Sequence, residues 1–348
     1  MTSAVSDGAN PREAIIGLLR GQIACPLISC LGQLGWLERI MQGPFDLDSF
    51  GPGIDPKTLR SVMTYLTSIR LVSAQGDTTF TTTPLGAKVF RRYGAFCILH
   101  SYEDYLVRLR SLLVPDGSPR PRVDRLRNVV GSGALHDRKF FVPALELLGS
   151  EPYELIADVG CGNGQFLLGC LNRFPRASVV AIDLSAIAVE ETVNRIGRAS
   201  AETAITGVVA DGADVAEWSA HLQPAGQRAR RALVSLWFLV HEISQGDVRV
   251  VVDFFRTLHA HCPDATVLMG EVVRMPEDLL ADNRSQSLLP ELTLLHDLSG
   301  QGLLSWPQWQ SVLREIPYAI TRQRQFDVLV GPDGVSQPSS FVWCLAAK

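Results

Sequence analysis

The sequence predicts an α/β fold in which helices cover both faces of a mostly parallel sheet, preceded by a winged-helix domain. After Tyr153, strand patterns alternate with helical patterns almost to the end of the chain, which is typical of a parallel sheet. Before residue 91 the order is helix, turn, helix and short hairpin, which is typical of a winged helix. We therefore expect a helical and winged-helix domain over 1–105, linker helices over 106–150 and an α/β domain over 151–348.

The N-terminal domain begins with a helical pattern over 11–42, in which apolar residues occur on almost every side. Such a helix needs cover on more than one side, from a partner subunit or from the same chain. Asp55 and Pro56 predict the start of a later helix, and Gly76-Asp77 predicts the turn of the hairpin. The helix that begins at Pro56 carries little positive charge. We therefore favour an interaction or dimerisation role over DNA binding.

Composition excludes several classes of partner. The 348 residues are 46% hydrophobic, and the net charge is −4, which gives no basic field for nucleic acid or for an anionic membrane. Seven cysteines occur without a CxxC pair, so we expect neither a disulfide framework nor a zinc ribbon. The first 14 residues lack a signal-peptide pattern, and we find no apolar run of about 18 residues. These features together predict a cytoplasmic protein with no membrane span.

The first strand of the α/β domain leads into a glycine-rich loop, "ADVGCGNGQF" at 157–166. Gly160, Gly162 and Gly164 allow a tight turn and a close approach of the backbone to a ligand, although a purely structural turn also uses glycines. Asp158 precedes the loop, and Asp183 ends the second strand, where a carboxylate can accept both ribose hydroxyls. Asp211-Gly212 follows the third strand, where an acidic side chain can meet an adenine edge.

The same loop discriminates between cofactors. A phosphate-binding loop would read GxxxxGK[ST], which is absent, and the third glycine of an NAD-binding loop would fall at Gln165. An acidic residue just before the glycines suits a cofactor that is cationic and has no phosphate. S-adenosylmethionine (SAM) has these properties, because its sulfonium and amino groups are positively charged.

The segments "DVGCGNG", "VVAIDLS" and "VVADGAD" resemble the class I SAM-dependent methyltransferases. With the winged-helix pattern and the segment from "VHEISQGDVRVV" to "EVVRMPED", the chain resembles the small-molecule O-methyltransferase superfamily over nearly its whole length. The resemblance implies a Rossmann-like sheet of seven strands, the last of them antiparallel, and a homodimer formed through the N-terminal domain. It also implies a set of SAM-binding positions: Asp158, Gly160, Gly162, Asp183, Asp211, Gly212 and Trp237.

Two similar stretches, "LVHEIS" at 239–244 and "LLHDLS" at 294–299, each place a histidine and a carboxylate in an apolar setting. In the O-methyltransferases, a histidine after the fourth strand deprotonates the acceptor hydroxyl, and His241 matches it. A smaller group within the superfamily methylates C3 of 2-oxo acids and carries one metal ion. The chain resembles that group in a second pair, His296-Asp297. By the same resemblance, His136 matches a third histidine that some members of the group have.

The chemistry favours a metal for C-methylation, because a divalent ion that binds a 2-oxo acid polarises the carbonyl and favours loss of the C3 proton. His136, His241 and His296 are the expected ligands, and Zn²⁺ or Fe²⁺ the expected ion. The expected catalytic residues are His241, Glu242 and Asp297. The two carboxylates would orient the imidazoles, bind metal-bound water or act as base, and a metal-bound hydroxide is the other candidate for the base.

The acceptor is expected to be a small 2-oxo acid. The cluster of carboxylates, which includes Glu291, gives 2-ketoarginine a slight preference over phenylpyruvate and 4-methyl-2-oxopentanoate. A metal-free O-methyltransferase with His241 as base is the main alternative, and a winged-helix regulator that senses SAM is a third. His100, His221, His259 and His261 are interpreted as structural or surface residues.

Overall fold

The computed structural model describes residues 10–150, 152–222, 231–283, 288–330, 334 and 336–348. The signal-peptide expectation falls largely on residues 1–9, which lie outside this range. The chain divides into two compact units, one of residues 1–103 and 124–135 and one of residues 104–123 and 136–348. Segment 106–150, over which we expected linker helices, is therefore divided between the two units.

The first unit contains a long N-terminal helix and a small antiparallel sheet with helices around it. Its first five helices are α1 (Pro11–Gln33), α2 (Trp36–Ile40), α3 (Pro56–Ser68), α4 (Pro84–Phe90) and α5 (Tyr93–Ser101). Three strands pair in the order β1-β3-β2, namely β1 (Phe45–Asp46), β2 (Val72–Ala74) and β3 (Thr79–Thr82). A 3₁₀ turn (Leu47–Phe50) stands where the first helix of the winged-helix pattern was expected.

The second helix of that pattern, α3, starts where the sequence predicts it. The carboxylate of Asp55 accepts a hydrogen bond of 2.9 Å from the backbone N–H of Thr58, and Pro56 occupies the first turn. These features satisfy a helix start, whose first N–H groups have no partner in the helix. The hairpin β2–β3 and helix α4 then follow in the expected order.

Helix α1 is apolar and largely exposed. Ile15, Leu18, Leu19 and Ile23 each expose more than half of their surface. The helix predicted over 11–42 is interrupted at Gly35, whose φ of 70° lies in the left-handed region. Among the described residues, α1 is the one helix long and apolar enough to cross a membrane, a test that buried helices and signal sequences also pass. This test concerns length and composition only and does not contradict the expectation that no segment spans a membrane.

The second unit contains the large sheet. The helices that follow α5 are α6 (Glu103–Val107), α7 (Leu109–Leu113), α8 (Arg125–His136), α9 (Val142–Leu147), α10 (Gln165–Arg173), α11 (Ala186–Ala199), α12 (Val215–Ser219), α13 (Val240–Ser244), α14 (Val248–His261), α15 (Glu277–Asn283), α16 (Leu289–Ser299) and α17 (Trp306–Glu315). All of α8 except its last residue belongs to the first unit, and a π-helical turn (Asp137–Phe141) follows it. The strands are β4 (Leu155–Val159), β5 (Ser178–Asp183), β6 (Ile205–Val209), β7 (Ala232–Trp237), β8 (Thr266–Val272), β9 (Tyr318–Val330) and β10 (Ser336–Ala347).

Seven strands form the sheet in the order β6-β5-β4-β7-β8-β10-β9. Strands β4 to β8 pair in parallel, and β10 is antiparallel to both β8 and β9. This confirms the expected α/β fold with seven strands and an antiparallel last strand. The order reverses between β4 and β7, and ligands of such sheets bind outside the carboxyl ends of the strands at this switch point.

The central strands are buried on both faces, which explains their nearly continuous apolar sequence. Along β4, Leu155, Ala157 and Val159 face one hydrophobic cluster, whereas Ile156 faces the other. Successive side chains of a strand point to opposite faces, so Asp158 lies on the same face as Ile156. The site described next is therefore built at the carboxyl ends of strands that two apolar layers hold rigidly.

Candidate functional site

The glycine loop is held by the carboxylate at the end of the next strand. Gly160, Gly162 and Gly164 have φ values of 76°, 53° and 72°, which L side chains adopt only with strain. One oxygen of Asp183 accepts a hydrogen bond of 3.0 Å from the N–H of Gly162, and the other accepts one of 2.9 Å from the N–H of Ser185. Asp183 thus fixes the loop. It lies at the end of the strand where we expect a carboxylate to bind the ribose.

Asp158 is buried at the switch point of the sheet. It exposes 2% of its surface, and the hydroxyl of Ser235 on β7 donates a hydrogen bond of 2.6 Å to its carboxylate. Burial raises the pKa of Asp158 to about 7, Ser235 lowers it and the charge of Asp183 raises it further. A carboxyl group in this position meets little solvent, so a cation that approached it would find its charge poorly screened.

The three remaining expected SAM-binding positions differ in exposure, and Gly212 is half-buried. Asp211 is exposed, and its carboxylate accepts a hydrogen bond of 2.9 Å from the N–H of Ala213. Trp237 is buried at the end of β7 against Phe141 and Phe166. Within the described part of the chain, its indole N–H has no hydrogen-bond partner, which is unusual for a buried tryptophan.

His241 is positioned by a buried carboxylate on the neighbouring strand. Its Nδ1 lies 2.9 Å from Oε2 of Glu271, and Glu271 is completely buried. The other oxygen of Glu271 accepts a hydrogen bond of 2.7 Å from the N–H of Val240. An ionised carboxylate only accepts hydrogen bonds, so Nδ1 of His241 is the donor in this contact.

Backbone geometry fixes the short helix α13 that carries His241. Phe238 before it and Gln245 after it have φ values of 51° and 47°, and such values in residues other than glycine are strained and cluster at functional sites. Gly302, in the loop after α16, packs against the backbone of Gln245 and Gly246 so closely that a Cβ atom would lie 1.7 Å from the nitrogen of Gly246. The hydroxyl of Ser244 adds a hydrogen bond of 3.1 Å to the carbonyl of Gly302.

His296 faces His241 from helix α16. The ring centroids are 5.0 Å apart and the planes are inclined by 70°. Nδ1 of His296 donates a hydrogen bond of 2.6 Å to the carbonyl of Leu292, because a carbonyl can only accept. Burial, with the nearby His241 as a lesser cause, lowers the pKa of His296 to about 4. His296 is therefore neutral at pH 7, with its lone pair on Nε2.

His136 lies at the start of the π-helical turn, an uncommon element that occurs often at functional sites. Its ring stacks on Phe238 with centroids 4.0 Å apart, and burial lowers its pKa to about 3, with Lys139 and His241 contributing. The structure thus brings His241 and His296 into ring contact and places His136 on an aromatic ring nearby. Over the described ranges, no group of three or more His, Cys, Asp or Glu side chains is arranged to hold a metal ion.

The expected carboxylates are engaged with other side chains. Oε1 of Glu242 accepts a hydrogen bond of 2.9 Å from Gln301. Both oxygens of Asp297 accept hydrogen bonds from the guanidinium of Arg274, at 2.6 and 3.1 Å, and Glu291 is exposed. Arg274 therefore already pairs with Asp297, one of the carboxylates for which we expected a guanidinium of the substrate as partner.

Sequence analysis missed Glu271 as the partner of His241. The signal was available, because Glu271 is the only charged residue in the apolar segment "ATVLMGEVV" at 265–273, and a buried charge requires a partner. The identity of that partner depends on the pairing of β7 with β8, which the sequence does not display.

Comparison with known proteins identifies the domain. Residues 156–261 match a family model described as a methyltransferase domain, and the match extends from β4 to the end of α14. It includes the glycine loop, Asp183 and His241. A search of curated proteins finds no match to the chain.

Solved structures with the same fold cover both units. Human N-acetylserotonin methyltransferase, in complex with SAM, has a TM-score of 0.59 at 16% identity and covers 99% of each chain. The mitomycin 7-O-methyltransferase MmcR has a TM-score of 0.57 at 16% identity and covers 97% of this chain and 98% of its own. RosA from Streptomyces davawensis, an N,N-8-amino-8-demethyl-D-riboflavin dimethyltransferase, has a TM-score of 0.53 at 16% identity and covers 97% and 100%. At these identities the likeness concerns the fold.

Proposed function

We propose that this chain, a methyl-transferring enzyme with a methyltransferase domain over 156–261, uses SAM to methylate C3 of a 2-oxo acid, with a divalent metal held by His241 and His296. The fold does not decide the acceptor atom, since the similar structures above include an O-methyltransferase and an enzyme that methylates an amino group. The proposal therefore rests on this chain's own residues.

The observation that carries the proposal is the pair of anchored imidazoles. Nδ1 of His241 and Nδ1 of His296 each donate to an acceptor of the protein, and the rings are in contact. Metal-ligating histidines are typically held in this way, with the other nitrogen directed at the ion. The low pKa of His296 supports the same role, because an imidazole must be neutral to bind a metal.

Two imidazoles would leave coordination positions open for a bidentate substrate, and His136 remains the predicted third ligand. When bound, the ion would polarise the 2-keto group and so favour loss of the C3 proton. Zn²⁺ and Fe²⁺ both suit imidazole and oxygen ligands.

The chain's other residues would bind the cofactor and accept the proton. Asp158, Asp183 and the glycine loop would hold SAM above the carboxyl ends of the strands. Glu242 is the proton acceptor that we favour, because both oxygens of Asp297 are engaged by Arg274. Because Arg274 already pairs with Asp297, this site is less suited to a guanidinium in the substrate. We therefore propose to assay phenylpyruvate and 4-methyl-2-oxopentanoate side by side with 2-ketoarginine.

The test measures metal and turnover together. We expect the purified enzyme to contain about one metal ion per chain by elemental analysis, as one such site requires, and to lose activity with a strong chelator. His296→Ala should lose both the metal and the C3-methylated product detected by NMR, whereas His221→Ala, which changes an exposed histidine, should keep both. A metal-free enzyme whose turnover survives the chelator would contradict the proposal.

The second candidate is a metal-free O-methyltransferase. The buried contact between Glu271 and His241 favours it, since a carboxylate that holds Nδ1 of a histidine is a typical arrangement for a general base. In that case His296→Ala should retain a measurable fraction of activity on phenols, and C3 of 2-oxo acids should stay unmethylated.

A further inference from the structure

We infer that Ser235 is a positioning residue for Asp158 and that binding of SAM releases a proton from the Asp158 carboxyl group. The inference rests on the proposed use of SAM as cofactor. It concerns the state of the enzyme before the cofactor binds.

The geometry at the switch point accommodates two protonation states. Asp158 and Ser235 are direct neighbours across the pairing of β4 with β7. The hydroxyl of Ser235 lies 2.6 Å from the Asp158 carboxyl and 3.2 Å from the carbonyl of Ala157. A hydroxyl has a single hydrogen, so Ser235 can donate to only one of these two acceptors at a time.

Each donor direction matches one state of Asp158. When the carboxylate is ionised, Ser235 donates to it, and 2.6 Å is typical of a hydrogen bond to a charged oxygen. When Asp158 is protonated, its own O–H donates to Ser235, and the serine hydrogen turns to the carbonyl of Ala157. Both states are therefore satisfied, although Asp158 and Ser235 are almost completely buried.

The surroundings keep a substantial share of Asp158 in the neutral state until a cation arrives. Burial raises the pKa of Asp158 to about 7, and the ionisable groups that interact with it are an acid and two thiols: Asp183 on β5, Cys161 in the glycine loop and Cys170 on α10. Among the described residues, no lysine, arginine or histidine contributes to this pKa. A bound cation would supply the missing positive charge and displace the proton to solvent.

Calorimetry of SAM binding to the purified enzyme, in buffers with different enthalpies of ionisation, counts the released protons. At pH 7 we expect about half a proton per SAM, since a group with a pKa near 7 is half protonated. The dissociation constant should rise about tenfold between pH 8 and pH 6, because only the ionised fraction binds. Asp158→Asn should remove both effects, while the titration of SAM itself stays common to all variants.

The variant Ser235→Ala tests whether Ser235 acts through its hydrogen bond to Asp158 or only through packing. Loss of the donated hydrogen bond should shift the pH profile of SAM binding to higher pH, with weaker binding at pH 7 and recovery at higher pH. Ser29→Ala, which truncates another fully buried serine in the first unit, should leave the profile unchanged. If Ser235→Ala does not fold, the comparison of Asp158→Asn with the wild type decides.

The outcomes are distinguishable. Equal proton release by the wild type and Asp158→Asn would overturn the linkage, and an unshifted profile for a folded Ser235→Ala would overturn the role of Ser235. Failure of the wild type to bind SAM at pH 8 would overturn the proposed cofactor and the inference with it.

Discussion

At the residue scale, Glu271 contributes to the site by positioning His241. It is completely buried, holds Nδ1 of His241 and accepts the N–H of Val240. Glu271→Gln keeps the size of the side chain but can present an amide N–H to Nδ1, which favours the wrong tautomer. We expect kcat/KM to fall about 10- to 100-fold, as for other residues that orient a reacting histidine.

Glu315→Gln is the matched control for that measurement. It makes the same chemical change on an exposed residue of helix α17, and its kcat/KM should stay near the wild-type value. Equal losses in the two variants would show that the contact between Glu271 and His241 has no special part in the reaction.

A second residue-scale prediction concerns His136, whose stacking on Phe238 and proposed ligation must be separated. His136→Phe keeps an aromatic ring for the stack and removes the nitrogen. If His136 is the third ligand, as we expect, elemental analysis should show a lower metal content in this variant, with thermal stability close to the wild type. An unchanged metal content would restrict His136 to packing.

At the element scale, the contact of Gly302 with α13 sets the spacing of the two histidine-bearing helices. Gly302→Ala would place a methyl group against the backbone of Gly246, and α13 or the loop after α16 must then move. We expect a loss of about 1–3 kcal/mol in the free energy of unfolding, the usual range for overpacking. Activity should fall as well, because His241 and His296 would separate.

Gly197→Ala provides the comparison for Gly302. Gly197 lies in helix α11 with no other atoms near the position of a Cβ, and alanine is favoured over glycine inside a helix by about 0.5–1 kcal/mol. Chemical denaturation should therefore show a small gain in stability for this variant. A similar loss in both would mean that the close contact at Gly302 is not the cause.

At the scale of the whole molecule, the sequence predicts the layers of the fold better than the contacts of the site. Alternation of strands and helices predicts the mostly parallel sheet, the resemblance implies its seven strands, and strand ends predict the positions of Asp158 and Asp183. The sequence did not reveal that Glu271 contacts His241 or that Arg274 engages Asp297, since each pair joins elements that only tertiary packing brings together. The sequence alone shows repeated local patterns, but it does not show which residues distant in sequence are in contact.

The last prediction concerns the N-terminal helix. The exposed apolar residues Ile15, Leu18 and Leu19 of α1 would leave a large apolar surface in water, which monomers rarely tolerate. We propose that a second copy of the chain covers this face, so light scattering after size exclusion should give the mass of a dimer. Leu18→Glu should shift the mass to that of a monomer, because a buried unpaired charge opposes association.

Leu113→Glu, on the exposed side of α7, should leave the dimer intact and thus tests whether any new charge has the same effect. A membrane is the competing cover, since α1 also meets the length and composition of a membrane-spanning helix. Co-sedimentation with lipid vesicles separates the two possibilities. If the wild-type chain is monomeric and sediments with vesicles, the proposed dimer is wrong. If it is a dimer and does not sediment with vesicles, a second copy covers the apolar face of α1.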